Sequence, residues 1–287
     1  MGGPADHLDV ADHCVEDTAE PPGFGGKTTR SRTMGSFKYI NGIASRENLT
    51  RFLELVDLAA GAGKDVSNVF DLSDRFNGSR PMERCLQALR SNPASARMLE
   101  ERYVGPLYDL PAMLRMPRYS LGWTYGQVMS AMGYDPQFYR RPERFADDAE
   151  YVNFRVYKTH DIHHILTGFS LDDLGEIGVI SVSSAQFGFP AFVFLGLLGM
   201  LMNFFSSEQL YREDLPATEI GKTLGYTYSL ISRGIEMGQA AKPLFPIKWE
   251  EGLERPLAEW RRELNIHPVT EGVFSWYSRP NLAAAVA

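Results

Sequence analysis

The chain has 287 residues, 44% of them apolar, with a formal net charge of −7, which is enough for one large domain with a substantial core. That acidic balance, with no run of Lys and Arg, excludes a nonspecific nucleic-acid binder, which needs a basic face to neutralise phosphates. Two cysteines, Cys14 and Cys85, supply neither a disulfide framework nor a cysteine zinc site and fit a reducing compartment.

Residues 1–36 mix Gly, Pro, Ser, Thr and scattered charge without a helical or strand period, which predicts a flexible leader ahead of a helical domain over 37–287. The opening MGGPADHLDVADHCVEDTAE has no apolar core for a signal peptide and too many acids for a transit peptide, so cytoplasmic residence is expected. Asp6 stands where the myristoylation pattern wants Ser or Thr.

From about Asn48 the pattern is helical, with Phe52, Leu55, Val56 and Ala59 on one face and Val69, Phe70 and Leu72 following the Gly61-Ala62-Gly63 break. Pro81 suits a first helical turn ahead of MERCLQALRS. After a break near Pro142, a long periodic segment runs from about Asp147 to Leu166 and ends at Gly168. Ser170 is placed to cap the next helix, with Asp172 and Asp173 in its first turn. VISVS at 179–183 offers a short strand, and further helices are expected over about 217–241 and 256–264. The fold expected is mainly α: a single-domain helical bundle with no internal repeat and a metal site between two consecutive helices.

The stretch KTHDIHHILTGFSLDDLGEIG, 158–178, carries the chemistry. On a helix His160 and His164 lie one turn apart on one face, so both imidazoles can reach one ion at about 2.0–2.1 Å. Asp161 lies about 100° round from His160 and can act as ligand, supporting partner or base. Glu176, twelve residues after His164 and one turn into the following helix, can close the site. Two histidines and two carboxylates suit several divalent ions, among them zinc, iron and magnesium, and leave positions open for water or substrate. His163 points away from this face and reads as structural; Asp172 and Asp173 read as helix-start acids. Compared with H-E-x-x-H, where the Glu is a base on zinc-bound water, Asp161 is one methylene short, which weakens a peptidase reading. An HD-type phosphohydrolase needs a further upstream histidine, and none occurs between His13 and His160.

No charged residue occurs from Ile177 to Ser207, and FGFPAFVFLGLLGMLMNFF within that run has the length of a membrane span. Pro190, the internal glycines and the polar Ser181, Ser183, Ser184 and Gln186 favour instead a buried central helix, with a lipid-facing or ligand-lining helix over 187–205 as the alternative.

At these residues the chain resembles the ubiquinone-biosynthesis family called Coq-four, whose hallmark is H-D-x-x-H, eleven residues, then E. His160, Asp161, His164 and Glu176 match it in full, and GQAAKPLFPIKWEEGLERPLAEWRREL is similar to the family's C-terminal signature. The resemblance covers about residues 45–266. It implies a mainly helical, metal-dependent protein of prenylated-quinone biosynthesis with those four residues as ligands, working at a membrane surface. Its partners would be a prenylated quinone precursor or other isoprenoid lipid, and quinone-biosynthetic enzymes. It also implies either of two roles: oxidative exchange of a ring carboxyl for a hydroxyl on a prenylated hydroxybenzoate, or a non-catalytic lipid-binding scaffold for a biosynthetic complex. A metal-dependent hydrolase is the reading outside the family, and a homo-oligomer is compatible with all three. Beside the resemblance, Tyr157 and Arg155 are candidates for polar contacts near the mouth of the site. The acidic leader departs from a mitochondrial pattern and points to a bacterial member.

Overall fold

The computed structural model describes residues 46–62, 68–206 and 223–287. The leader expected over 1–36, Cys14 and the first residues of the helix expected from Ala217 lie outside them. Leu49–Ala287 gathers into one compact unit. Among the described residues there are twelve α-helices and two 3-10 turns, and the only β-pairing is two isolated bridges, Ser120 with Pro256 and Phe169 with Ser275.

The first helices follow their local signals. α1 (Arg46–Ala62) and α2 (Asn68–Asp74) precede α3 (Arg80–Ser91). Ser79 accepts the Met82 N–H and Pro81 occupies the first turn of α3. Asn92 caps α4 (Pro93–Glu101), Asp109 caps the short α5 (Leu110–Met113), and Ser120 caps α6 (Leu121–Met132).

α7 (Asp148–Thr167) is the central helix. Asp147 accepts the Glu150 N–H at its start, and Gly168, at φ +83°, ends it. It is buried nearly all round although its sequence is polar, because most of its polar groups find internal partners. Arg155 meets Glu250; Lys158 donates to the carbonyls of Val104 (2.5 Å) and Pro106 (2.7 Å); Asn153 donates to Asn77.

α8 (Asp173–Phe187) and α9 (Pro190–Ser206) divide the uncharged run, with Gly188 at φ +64° between them. The strand expected over 179–183 is instead part of α8: Ser181 and Ser184 donate their hydroxyls to the carbonyls of Ile177 and Ile180 one turn back, and burial overrides the β preference of Val and Ile. Nor is α9 the buried central helix. Ala191, Phe192 and Phe194 face the core, but Val193, Leu197, Met202 and Phe204 are exposed and Phe205 is 75% exposed. Among the described residues no helix is long and apolar enough to cross a membrane.

α10 (Leu224–Ala240) lies directly against α8. Gly234 and Gly238 permit the approach: a Cβ at either would fall 2.3 Å from the Gly178 carbonyl oxygen or 2.5 Å from that of Val182. α11 (Leu257–Leu264) matches the amphipathic helix expected there, and α12 (Pro280–Val286) packs on α6.

Candidate metal centre

His160 and His164 sit on α7 and Glu176 on α8, so two consecutive helices supply the centre, as the motif spacing suggests. His160 Nε2 and His164 Nε2 are 3.2 Å apart, and each lies 3.1 Å from Glu176 Oε2. The ligand atom of Asp161 lies within 4.8 Å of the imidazole nitrogens of His160 and His164. Asp172, rather than the expected Ser170, caps α8: its Oδ1 accepts the Gly175 N–H at 3.1 Å, and the Ser170 hydroxyl supports it from 2.7 Å. This cap sets the turn from which Glu176 projects.

His164 Nδ1 is 3.2 Å from the Phe169 carbonyl oxygen. A carbonyl only accepts, so the proton lies on Nδ1 and the Nε2 lone pair faces the centre. His160 Nε2, His164 Nε2 and the Glu176 oxygen then form a triangle of acceptors, and one proton on His160 cannot relieve all three contacts. A divalent cation can. The 3.1–3.2 Å edges lie between the roughly 2.9 Å and 3.3 Å expected of octahedral and tetrahedral shells with bonds of about 2.0–2.1 Å. Zinc, iron and magnesium are all admitted. Exposure falls on one side: the Glu176 side chain is 40% exposed, His160 12% and His164 2%. The open side for a further ligand is therefore beside Glu176.

When the imidazoles are protonated, their charge and hydrogen bonds outweigh the desolvation that opposes ionisation of Glu176 and hold its carboxyl far below the usual range. Burial would push His160 down, yet Glu176 holds it above its ordinary value. Burial raises Asp161, against the pull of both imidazoles. Burial, with a smaller contribution from the field of Asp161, pushes the Tyr108, Tyr125 and Tyr134 phenols up.

Other candidates fall outside the centre. His163 faces Trp249, with ring centroids 6.0 Å apart, and burial drives it down to about 3, so it is a neutral core residue as expected. Arg155 and Tyr157 do not line a mouth: Arg155 is locked to Glu250, and the Tyr157 hydroxyl lies 2.6 Å from Ser73 Oγ. Sequence reasoning missed Phe192, whose ring packs 5.1 Å from His160, and the indole of Trp276, which donates to the His164 carbonyl at 3.1 Å. No local pattern marks either.

The family model described as coenzyme Q (ubiquinone) biosynthesis protein Coq4 matches residues 58–270, which include the whole centre. The chain belongs to the Coq4 family. Relatives include the mitochondrial ubiquinone biosynthesis protein COQ4 of Zygosaccharomyces rouxii, 27% identical over 71% of this chain and 58% of that protein. The mitochondrial COQ4 homolog of Rattus norvegicus is 31% identical over 63% of each. The chain thus spans about three fifths of the length of these relatives. A crystal structure from Nostoc punctiforme, of a protein assigned provisionally to ubiquinone biosynthesis, superposes with a TM-score of 0.62 at 24% identity, covering 75% of this chain and 95% of that one. That likeness corroborates the helical fold.

Proposed function

We propose that this Coq4 member is a metal-dependent protein of ubiquinone biosynthesis that holds one divalent ion on His160, Asp161, His164 and Glu176 and exchanges the ring carboxyl of a prenylated hydroxybenzoate for a hydroxyl. The observation that carries this reading is the convergence of two imidazole nitrogens and a carboxylate oxygen at 3.1–3.2 Å, with the His164 tautomer fixed by Phe169. A bound ion would act as a Lewis acid toward an anionic head group. The protein's part is to orient and to exclude water: Phe192 packs on His160 with ring centroids 5.1 Å apart and covers it from the apolar side. An apolar groove of about 550 Å³, lined by Val193, Phe194 and Leu197 of the helix that carries Phe192 together with Cys85 and Phe187, is the candidate place for a tail.

A second reading, a lipid-presenting module for partner enzymes at a membrane surface, draws on the exposed Val193, Leu197, Met202, Phe204 and Phe205. Val193, Leu197 and Phe204, which share one side of α9, suit interfacial contact. Elemental analysis of the native protein against a His160→Ala/His164→Ala double variant tests the centre: about one divalent ion should be lost, and equal metal in both would sink it. Incubating metal-loaded protein with a prenylated hydroxybenzoate and dioxygen separates the readings, the net exchange being the two-electron oxidation ArCO2H + O2 + H2O → ArOH + CO2 + H2O2. Hydroxylated product and carbon dioxide support the enzyme, whereas binding without turnover supports the module.

A further inference from the structure

The segment after residue 270, beyond the region matched by the family model, folds back onto the loop joining the two ligand-bearing helices. Ser170 N donates to the Phe274 carbonyl at 2.7 Å, and Trp276 N donates to the Gly168 carbonyl at 3.1 Å. Just before the segment, Val269 N donates to the Thr167 carbonyl at 2.7 Å. The approach is so close that a Cβ on Gly168 would fall 2.1 Å from the Val269 carbonyl oxygen. Ser275 and Trp276 are buried.

Two side chains carry the contact onward to the centre. The Trp276 indole N–H donates to the carbonyl of His164 itself, at 3.1 Å. The Arg279 guanidinium pairs with Asp172 Oδ2. Asp172 caps α8 through Oδ1, and its carbonyl accepts the Glu176 N–H at 2.9 Å. One short segment therefore grips the end of the histidine helix and the start of the glutamate helix at once.

We propose that Trp276 and Arg279 are positioning residues that set the separation of Glu176 from the His160–His164 pair, so that the C-terminal segment tunes the affinity of the metal centre. The inference rests on the reading of that centre as a metal site. Neither side chain touches the ion or its ligand atoms; each acts through the backbone of a ligand-bearing helix. Supporting contacts around metal ligands are worth about 10–100-fold in affinity, and these more remote ones belong at the lower end of that range.

Cobalt(II) titration of the purified full chain, followed by its visible absorption, tests the proposal. Arg279→Met and Trp276→Phe should each weaken cobalt binding by about 10-fold and shift the absorption band, and Arg279→Lys, which keeps the ion pair, should recover most of the loss. Arg255→Met removes the surface ion pairs to Glu259 and Glu263 and should leave titration and band unchanged. Wild-type affinity and spectrum in both Arg279→Met and Trp276→Phe would overturn the proposal. So would an equal loss in Arg255→Met, which would mark a general destabilisation, or an Arg279→Lys variant as weak as Arg279→Met. If wild type and His160→Ala/His164→Ala take up cobalt alike, the metal reading itself fails and the clamp fails with it.

Discussion

Arg155 and Glu250, 95 positions apart in sequence, form a two-pronged ion pair at 2.7 and 3.1 Å with at most 1% exposure of either side chain. Lys158 reaches the same carboxylate at 3.0 Å. Removing Glu250 leaves two buried cations, Arg155 and Lys158, without their counter-charge, so Glu250→Gln should destabilise the fold by about 3–5 kcal/mol in urea unfolding. Combining it with Arg155→Met should restore part of that loss. A single variant within 1 kcal/mol of wild type would mean that the pair is solvated in solution.

His163 gives the fold a pH dependence of predictable sign. Burial holds the folded imidazole down to about 3, below its usual value of 6.5, so the unfolded chain binds a proton that the folded chain refuses. Stability should therefore fall as pH drops from about 6 toward 3, with a slope from this group approaching about 1.4 kcal/mol per pH unit. His163→Met in metal-stripped protein should flatten that part of the profile relative to wild type. Parallel profiles in that window would show that the histidine is already charged in the fold.

Metal removal should be visible without any substrate. Chelation should lower the thermal midpoint, and restoring ion at a hundredfold excess over its dissociation constant should return about 2.7 kcal/mol. Differential scanning calorimetry of wild type beside His160→Ala/His164→Ala makes the comparison, and only wild type should respond.

The contact of α8 with α10 gives a fourth expectation. Gly234→Ala would put a methyl group 2.3 Å from the Gly178 carbonyl oxygen, which is backbone and cannot turn aside. Destabilisation of about 1–3 kcal/mol is expected, with looser metal binding because α8 carries Glu176. Unchanged stability would require the helices to separate without cost, and a crystal structure of the variant would reveal that.

The sequence made the ends of α7 legible because Asp147 and Gly168 are strong, local signals, and the four candidate ligands because their spacing converts directly into helix faces. It misassigned the burial of α9, which is apolar yet keeps Phe205 in solvent, and it left the burial of α7 open, since a buried polar helix depends on partners such as Glu250 and Val104 that lie far away in the chain. The VISVS segment misled for a related reason: Ser181 and Ser184 satisfy themselves on their own helix, which period-two alternation cannot reveal. Trp276 and Arg279 were invisible because their contacts are to backbone and to a capping residue more than 100 positions earlier.

The loop between His164 and Glu176 also acts as a ruler. A residue added to or removed from it that is taken up by shifting α8 along its own register would turn Glu176 by about 100° off the histidine face. Gly168 and Asp172 are pinned at either end of this loop, so it has little slack to absorb a change in length. In this protein a one-residue insertion between 167 and 172 should therefore be as damaging as loss of a ligand, although it would leave every ligand in the sequence.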